Sequence, residues 1–116
     1  MTPLKIIAED CATGTVLKLV GGLDHDTAPE LRDALPTIAL EPGRLLILDL
    51  AAMPFCDSSG ISALLAARNH AHSVGADIAL AAVPANTLRI LRIVGLDQIF
   101  ALHPDTVTAS RPREVG

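Results

Sequence analysis

The sequence contains no tryptophan or tyrosine, and its only aromatic residues are Phe55 and Phe100. Its formal net charge is -4. It therefore offers neither a basic surface that would neutralise phosphates nor an aromatic platform on which unpaired bases would stack. These two deficits argue against nucleic acid as a partner.

Long apolar runs are also missing, although 50% of the residues are hydrophobic. No run approaches the roughly 20 residues that a membrane-spanning helix needs. The first residues, Met1 to Lys5, lack the basic and apolar regions of a signal peptide. We therefore expect a cytoplasmic protein that does not have a membrane as a partner.

Cysteine is scarce, and we expect Cys11 and Cys56 to be small core residues with free thiols. The histidines have no i, i+4 partner among themselves and no cysteine at ligand spacing, so no metal site is predicted. A phosphate-cradling glycine-rich loop that ends in Lys-Ser or Lys-Thr is absent as well. The sequence therefore predicts no bound cofactor.

What is present is a regular alternation of strands and helices. Two β-rich runs, Leu4–Cys11 and Thr15–Val20, predict an antiparallel hairpin in which Gly14 supplies a positive φ. Arg44–Leu50 has too little alternation of apolar and polar residues for a half-exposed strand, which is typical of a central strand buried on both faces. Later strands are predicted at 77–83 and 99–102.

Apolar residues recur at helical spacing in three segments. The first has Asp26 or Thr27 as its N-cap and a break near Leu35, because Pro36 interrupts the pattern. The second follows Gly60 for about four to five turns and ends at Gly75. The third begins at Pro84 and ends at Gly95.

The predicted order of elements is therefore ββαβαβαβ. Three strand-helix-strand crossovers after a hairpin imply an α/β fold with a mixed, mostly parallel sheet and helices packed against it. We expect one domain over residues 1–116, with a core from about 4 to 102. The tail, 103–116, shows no firm periodicity.

One motif carries chemistry, namely Asp57-Ser58-Ser59-Gly60 at the start of the second helix. A helix N-terminus favours negative charge, so a hydroxyl placed there would accommodate a phosphate. The placement indicates a switch more readily than a catalyst.

The motif, extended to Ile61 and preceded by a buried strand, resembles the hallmark of STAS domains. The resemblance is closest to the bacterial anti-sigma factor antagonists. Three further stretches are similar to segments of that family: Gly22–Ala28, Met53–Cys56 and Gly95–Phe100. The resemblance covers nearly the whole chain, from about residue 4 to residue 102, in the same order and at the same spacings.

The resemblance implies a partner-switching protein rather than an enzyme, with no small-molecule substrate. The unphosphorylated form would bind an anti-sigma factor and free the sigma factor that it holds. That anti-sigma factor would be a serine kinase of the histidine-kinase ATPase type, which phosphorylates the first serine of the motif, Ser58. A serine phosphatase would reverse the modification.

The expected partner surface includes the motif and two residues near it. Asp24 lies where the family has a motif aspartate, and Ser62 is a small residue that would let a partner approach closely. The full expected set is Asp24, Asp57, Ser58, Ser59, Gly60 and Ser62.

Three positions leave alternatives open or depart from the family. Ser59 is the competing phosphate acceptor, although a local hydrogen bond would leave Ser58 the more exposed hydroxyl. Asp57 either orients the serine and adds charge or serves as an N-cap. Gly22 stands where the family often has an acidic residue.

Two alternative functions remain at this point. In the first, which the same resemblance also implies, the chain is an accessory subunit of a lipid transporter or a scaffold of a stress-signalling complex. A serine hydrolase would combine Ser58 with His25 and Asp24. The nucleophile elbow of such enzymes needs glycine two residues before and after the serine. Gly60 meets that requirement and Cys56 does not.

Overall fold

The structure, a computed structural model, describes residues 3–111 and contains a five-stranded sheet of order β1-β2-β3-β4-β5. Its first pair is antiparallel and the other three neighbouring pairs are parallel. The prediction of a mixed, mostly parallel sheet with the third strand at its centre is therefore confirmed. The strands are β1 Lys5–Cys11, β2 Gly14–Val20, β3 Leu45–Asp49, β4 Asp77–Ala81 and β5 Ala101–His103.

Helices connect the parallel strands. A 3-10 turn at Leu35–Thr37 follows the first helix, so the predicted break near Leu35 is confirmed. No helix within residues 3–111 is both long enough and apolar enough to cross a membrane. The helices are α1 Ala28–Ala34, α2 Ser58–Ser73, α3 Ala85–Ile93 and α4 Thr106–Ala109.

The core lies on both faces of the sheet. Leu46 and Leu48 of β3 are fully buried in the larger cluster, which also contains buried residues of α1, α2 and α3. Ile47, which points to the opposite face, is fully buried in a smaller cluster with Ala81 and Ala109. The expectation that the central strand is buried on both faces is confirmed.

The prediction that Gly14 supplies a positive φ to the hairpin is wrong. This glycine does not have a positive φ but begins β2. A Cβ at Gly14 would overlap the backbone carbonyl oxygen of Leu45, on the neighbouring parallel strand. Glycine is needed here for close approach between strands rather than for a turn conformation.

The end of the chain is more structured than its sequence indicates. The last strand begins at Ala101 rather than Ile99, because Leu96–Gln98 forms a 3-10 turn before it. The following helix α4 is capped by Asp105, whose carboxylate accepts a bond from the Thr108 N–H at 2.7 Å. The predicted tail 103–116 therefore contains ordered structure to residue 111, and residues 112–116 lie outside the described part of the chain.

A buried hydroxyl in α3 gives a prediction about stability. Thr87 is fully buried, and its Oγ1 has no hydrogen-bond partner among the described residues. We expect Thr87→Val to raise the free energy of unfolding by about 1 kcal/mol, because a buried unpaired hydroxyl is replaced by a methyl group. Urea unfolding followed by circular dichroism measures this change.

Thr37→Val is the control, because the Thr37 hydroxyl is exposed and donates a hydrogen bond to the Ala34 carbonyl. A gain in stability of the same size for Thr37→Val would contradict the explanation.

Candidate functional site

Two loops, residues 21–27 after β2 and residues 50–57 after β3, are joined at the end of the sheet where α2 begins. The loop after β2 pairs with the loop after β3 through an isolated parallel bridge between Leu23 and Cys56. The Leu23 N–H donates to the Phe55 carbonyl at 2.8 Å, and the Asp57 N–H donates to the Leu23 carbonyl at 3.2 Å. These bonds hold Asp24, the next residue in the chain, in a loop beside the start of α2.

Asp57 is the N-cap of α2. One of its carboxylate oxygens accepts a hydrogen bond from the Gly60 N–H at 3.0 Å, and its carbonyl accepts from the Ile61 N–H at 2.9 Å. A cap of this kind satisfies one of the donors that a helix leaves free at its start. Of the two roles open for Asp57 in the sequence, the structure shows the N-cap.

Ser58 is the first residue of α2, and its side chain is exposed. Within residues 3–111 its hydroxyl has no hydrogen-bond partner, while its carbonyl accepts a bond from the Ser62 hydroxyl at 3.1 Å. Ser59 is half-buried. Ser58 is thus the more accessible of the two serines, as expected, although the local bond expected for Ser59 is not formed in the described part of the chain.

Gly60 lies beneath this surface rather than on it. It is buried, and a Cβ at this position would overlap the Leu23 carbonyl oxygen and lie 2.6 Å from the Cys56 sulfur. The absence of a side chain lets the first turn of α2 press against the loop that carries Asp24. Gly60 therefore shapes the site without presenting a side chain to a partner.

Asp24 organises its own loop. One carboxylate oxygen accepts bonds from the Asp26 and Thr27 backbone N–H groups, at 2.9 and 3.0 Å. The bond from the Thr27 backbone is the main cause that holds the pKa of Asp24 below its usual value. Asp24 was expected at the partner surface by resemblance, and its carboxylate has a second role that was not expected, since it fixes the entry to α1.

An exposed aromatic residue that is not among the expected partner-binding residues completes the surface. The Phe55 side chain is 52% exposed, and its ring lies 3.7 Å from the place where a Cβ on Gly22 would stand. The ring thus lies against Gly22, the position at which the sequence departs from the resemblance. The sequence offered no alternation that would separate Phe55 from its buried neighbours Met53 and Cys56.

The hydrolase arrangement is not assembled. Among the described residues, the hydrogen bonds of the Asp24 side chain go to Asp26 and Thr27, and none joins Ser58 to His25. His25 is exposed. The geometry therefore lacks the chain of nucleophile, base and orienting group that such catalysis requires.

The cysteines are free thiols, as expected, but only Cys56 is fully in the core, while Cys11 is half-buried. Burial, with a smaller contribution from the Asp57 charge, raises the pKa of Cys56 from 9.0 to about 12. The neutral thiol is therefore favoured by the fold.

The raised pKa of Cys56 predicts a loss of stability in alkali. In the unfolded chain the thiol loses its proton near pH 9, and in the folded chain only near pH 12. The contribution of the Cys56 thiol to the free energy of unfolding is thus complete below pH 9 and declines as the pH rises toward 12. Denaturant unfolding across this range should show a steeper decline for the parent chain than for Cys56→Ala. Cys11→Ala is the control, and an equal slope in Cys56→Ala and the parent would contradict the prediction.

Comparison with known proteins places these features in a family. A family model described as "Mlab, STAS domain" matches residues 10–104. A STAS-domain containing protein of Pseudomonas aeruginosa is 31% identical over 86 residues, which cover 74% of this chain and 84% of that protein. The anti-sigma-B factor antagonist of Listeria monocytogenes is 25% identical over 84 residues, which are 72% of this chain and 74% of the relative.

The fold agrees with the solved structure of an anti-sigma factor antagonist. The crystal structure of an anti-sigma factor antagonist from Mycobacterium paratuberculosis matches with a TM-score of 0.78 and 27% identity, over 94% of this chain and 95% of that one. The family model spans most of the chain, the sheet has the expected order, and the serine motif stands at the start of α2. The chain belongs to the STAS domain family.

Proposed function

We propose that this protein is a cytoplasmic anti-sigma factor antagonist, not an enzyme, whose binding to its partner is switched off by phosphorylation of Ser58. The unphosphorylated chain binds an anti-sigma factor that is also a serine kinase, and so releases a sigma factor. A serine phosphatase restores the binding form. The antagonists among the relatives, at 25% and 27% identity, support this class of function.

The observation that carries the proposal is the placement of the Ser58 hydroxyl. It is exposed, unbonded within residues 3–111 and located at the first position of a 16-residue helix. A phosphate there gains from the helix dipole and adds about -1.5 to -2 charges without any need to refold the chain. The surface changes while the fold stays as it is.

The surroundings of Ser58 explain why the modification would release a partner. The apolar Phe55 ring lies on the exposed surface of the joined loops, and Asp57 already places a negative charge next to Ser58. A partner that covers this surface would have to remove water from a phosphate dianion. That cost is several kcal/mol unless the partner supplies paired cations.

The proposal is tested by release of a sigma factor. The unphosphorylated full chain is added to a preformed complex of a candidate anti-sigma factor with a labelled sigma factor, and free sigma factor is followed by fluorescence anisotropy. We expect release in proportion to the amount of chain added. If none of the anti-sigma factors encoded in the same genome gives up its sigma factor, an accessory or scaffold role is favoured instead.

A further inference from the structure

The outer edge of β1 is an unpaired boundary of the sheet within the described part of the chain. Lys5 and the residues from Ile7 to Asp10 are exposed along it. An edge strand presents a row of backbone donors and acceptors that can pair with another strand. What it pairs with depends on which groups face outward and which side chains accompany them.

The hairpin fixes which backbone groups face outward. Cys11 and Gly14 pair across a two-residue turn, so they form a hydrogen-bonded pair of the antiparallel ladder. Hydrogen-bonded and non-hydrogen-bonded pairs alternate along such a ladder. The odd-numbered residues of β1 therefore direct their backbone groups toward β2, and the even-numbered residues direct theirs to the free edge.

A bond at the beginning of the strand agrees with this assignment. The Leu4 N–H donates to a carboxylate oxygen of Glu30 in α1 at 3.1 Å rather than to β2. Further along the edge, Ile6 and Ala8 present the next outward N–H and C=O groups. These two residues offer the central bonds of a ladder with a second strand.

The side chains of the odd-numbered residues lie on the sheet face away from the larger core. Ile6 packs against that core, so Lys5, Ile7 and Glu9 point to the opposite face. Ile7 is 37% exposed, and its two neighbours on this face carry opposite charges. Along this face β1 therefore presents a positive, an apolar and a negative side chain in turn: Lys5, Ile7 and Glu9.

We infer that two copies of this chain pair antiparallel through their β1 edges, with the two-fold axis at Ile7. In this register Ile7 faces Ile7 of the second copy, and Lys5 faces Glu9 in both directions. Ile6 and Ala8 exchange backbone hydrogen bonds with Ala8 and Ile6 of the second copy. The two sheets become one continuous sheet, with α1, α2 and α3 of both copies on the same face.

The charges select this register over its neighbours. A shift of the axis to Ala8 places Ile7 opposite Glu9, and a shift to Ile6 places Lys5 opposite Ile7. Only the axis at Ile7 pairs the opposite charges, and it does so at the non-hydrogen-bonded positions, where facing side chains come closest. Charges at an edge often serve to block pairing, but here the sequence of charges is complementary to itself.

Sedimentation equilibrium of the full chain tests the inference through a charge exchange. We expect a dimer for the parent chain, and at least about tenfold weaker dimerisation for Lys5→Glu and for Glu9→Lys, because each change places like charges opposite each other twice. The double variant should restore the dimer. Lys18→Glu, on the same face but in β2, is the matched control and should leave the dimer unchanged.

A backbone variant provides a second test. Ala8→Pro removes an outward N–H without removing a bond between β1 and β2, and proline is tolerated at edge positions of this kind. We expect a monomer with an unchanged circular dichroism spectrum. A monomeric parent chain would overturn the inference and leave Lys5 and Glu9 as edge-blocking charges, and so would a dimer that all these variants leave intact.

Discussion

Replacement of Ser58 by aspartate is expected to weaken binding of the anti-sigma factor by about a hundredfold, while Ser58→Ala should bind as tightly as the parent chain. The reason is the cost of burying a charge in a contact that accommodates a neutral hydroxyl. An uncompensated charge in an interface costs about 3 kcal/mol or more, and each 1.4 kcal/mol is about tenfold in Kd. Alanine removes a hydroxyl that has no partner within residues 3–111, so little is lost.

Isothermal titration of the purified anti-sigma factor with each variant measures this difference. Ser73→Asp is the matched control, because it places the same charge on an exposed serine at the other end of α2. We expect Ser73→Asp to bind like the parent chain. Equal affinity of Ser58→Ala and Ser58→Asp would rule out a switch that acts through charge at this position.

Gly60→Ala is expected to destabilise the fold by about 2 kcal/mol, although alanine is the better helix former. Helix propensity favours the substitution by at most about 1 kcal/mol. Against it, the new Cβ would overlap the Leu23 carbonyl oxygen and press on the Cys56 sulfur, and such overpacking costs about 1–3 kcal/mol or more. Both contacts belong to backbone or buried atoms that are held by the joined loops, so we expect the steric cost to prevail.

Urea unfolding followed by far-ultraviolet circular dichroism measures this loss, since the chain has no tryptophan to report by fluorescence. Gly22→Ala is the control in the same pair of loops. Gly22 does not have a positive φ, and the nearest atom to a Cβ there would be 3.7 Å away, in the Phe55 ring. We expect Gly22→Ala to change stability by no more than about 1 kcal/mol. A parent-like stability for Gly60→Ala would show that α2 moves freely against its neighbouring loop.

Much of the fold could be predicted because local patterns and long-range pairing agree. The apolar run that becomes β3 and the glycine at residue 75 that follows α2 define their elements without any knowledge of their neighbours. The helix α4 could not be predicted in this way, because four residues are too few to show a period. Ala109 of this helix is buried in the cluster that also contains Ile47 and Ala81, so the helix depends on residues far away in the sequence.

The candidate site shows the same distinction between features set by neighbouring residues and features set by distant ones. The greater exposure of Ser58 follows from short-range rules about helix starts and is confirmed, and the structure decides between the two roles open for Asp57 in favour of the N-cap. The reasons for Gly14 and Gly60 could not be read from the sequence, because each depends on a backbone carbonyl in a different segment. Phe55 was missed for a similar reason, since only the pairing of the two loops leaves its ring outside.

The most direct test of the switch is intact-protein mass spectrometry after incubation with a candidate anti-sigma kinase and Mg-ATP. The parent chain, Ser58→Ala and Ser59→Ala are compared under the same conditions. We predict one phosphate on the parent chain and on Ser59→Ala, and none on Ser58→Ala. A phosphate that persists in Ser58→Ala and disappears in Ser59→Ala would move the site to the half-buried serine, and no phosphate with any candidate kinase would contradict the switch itself.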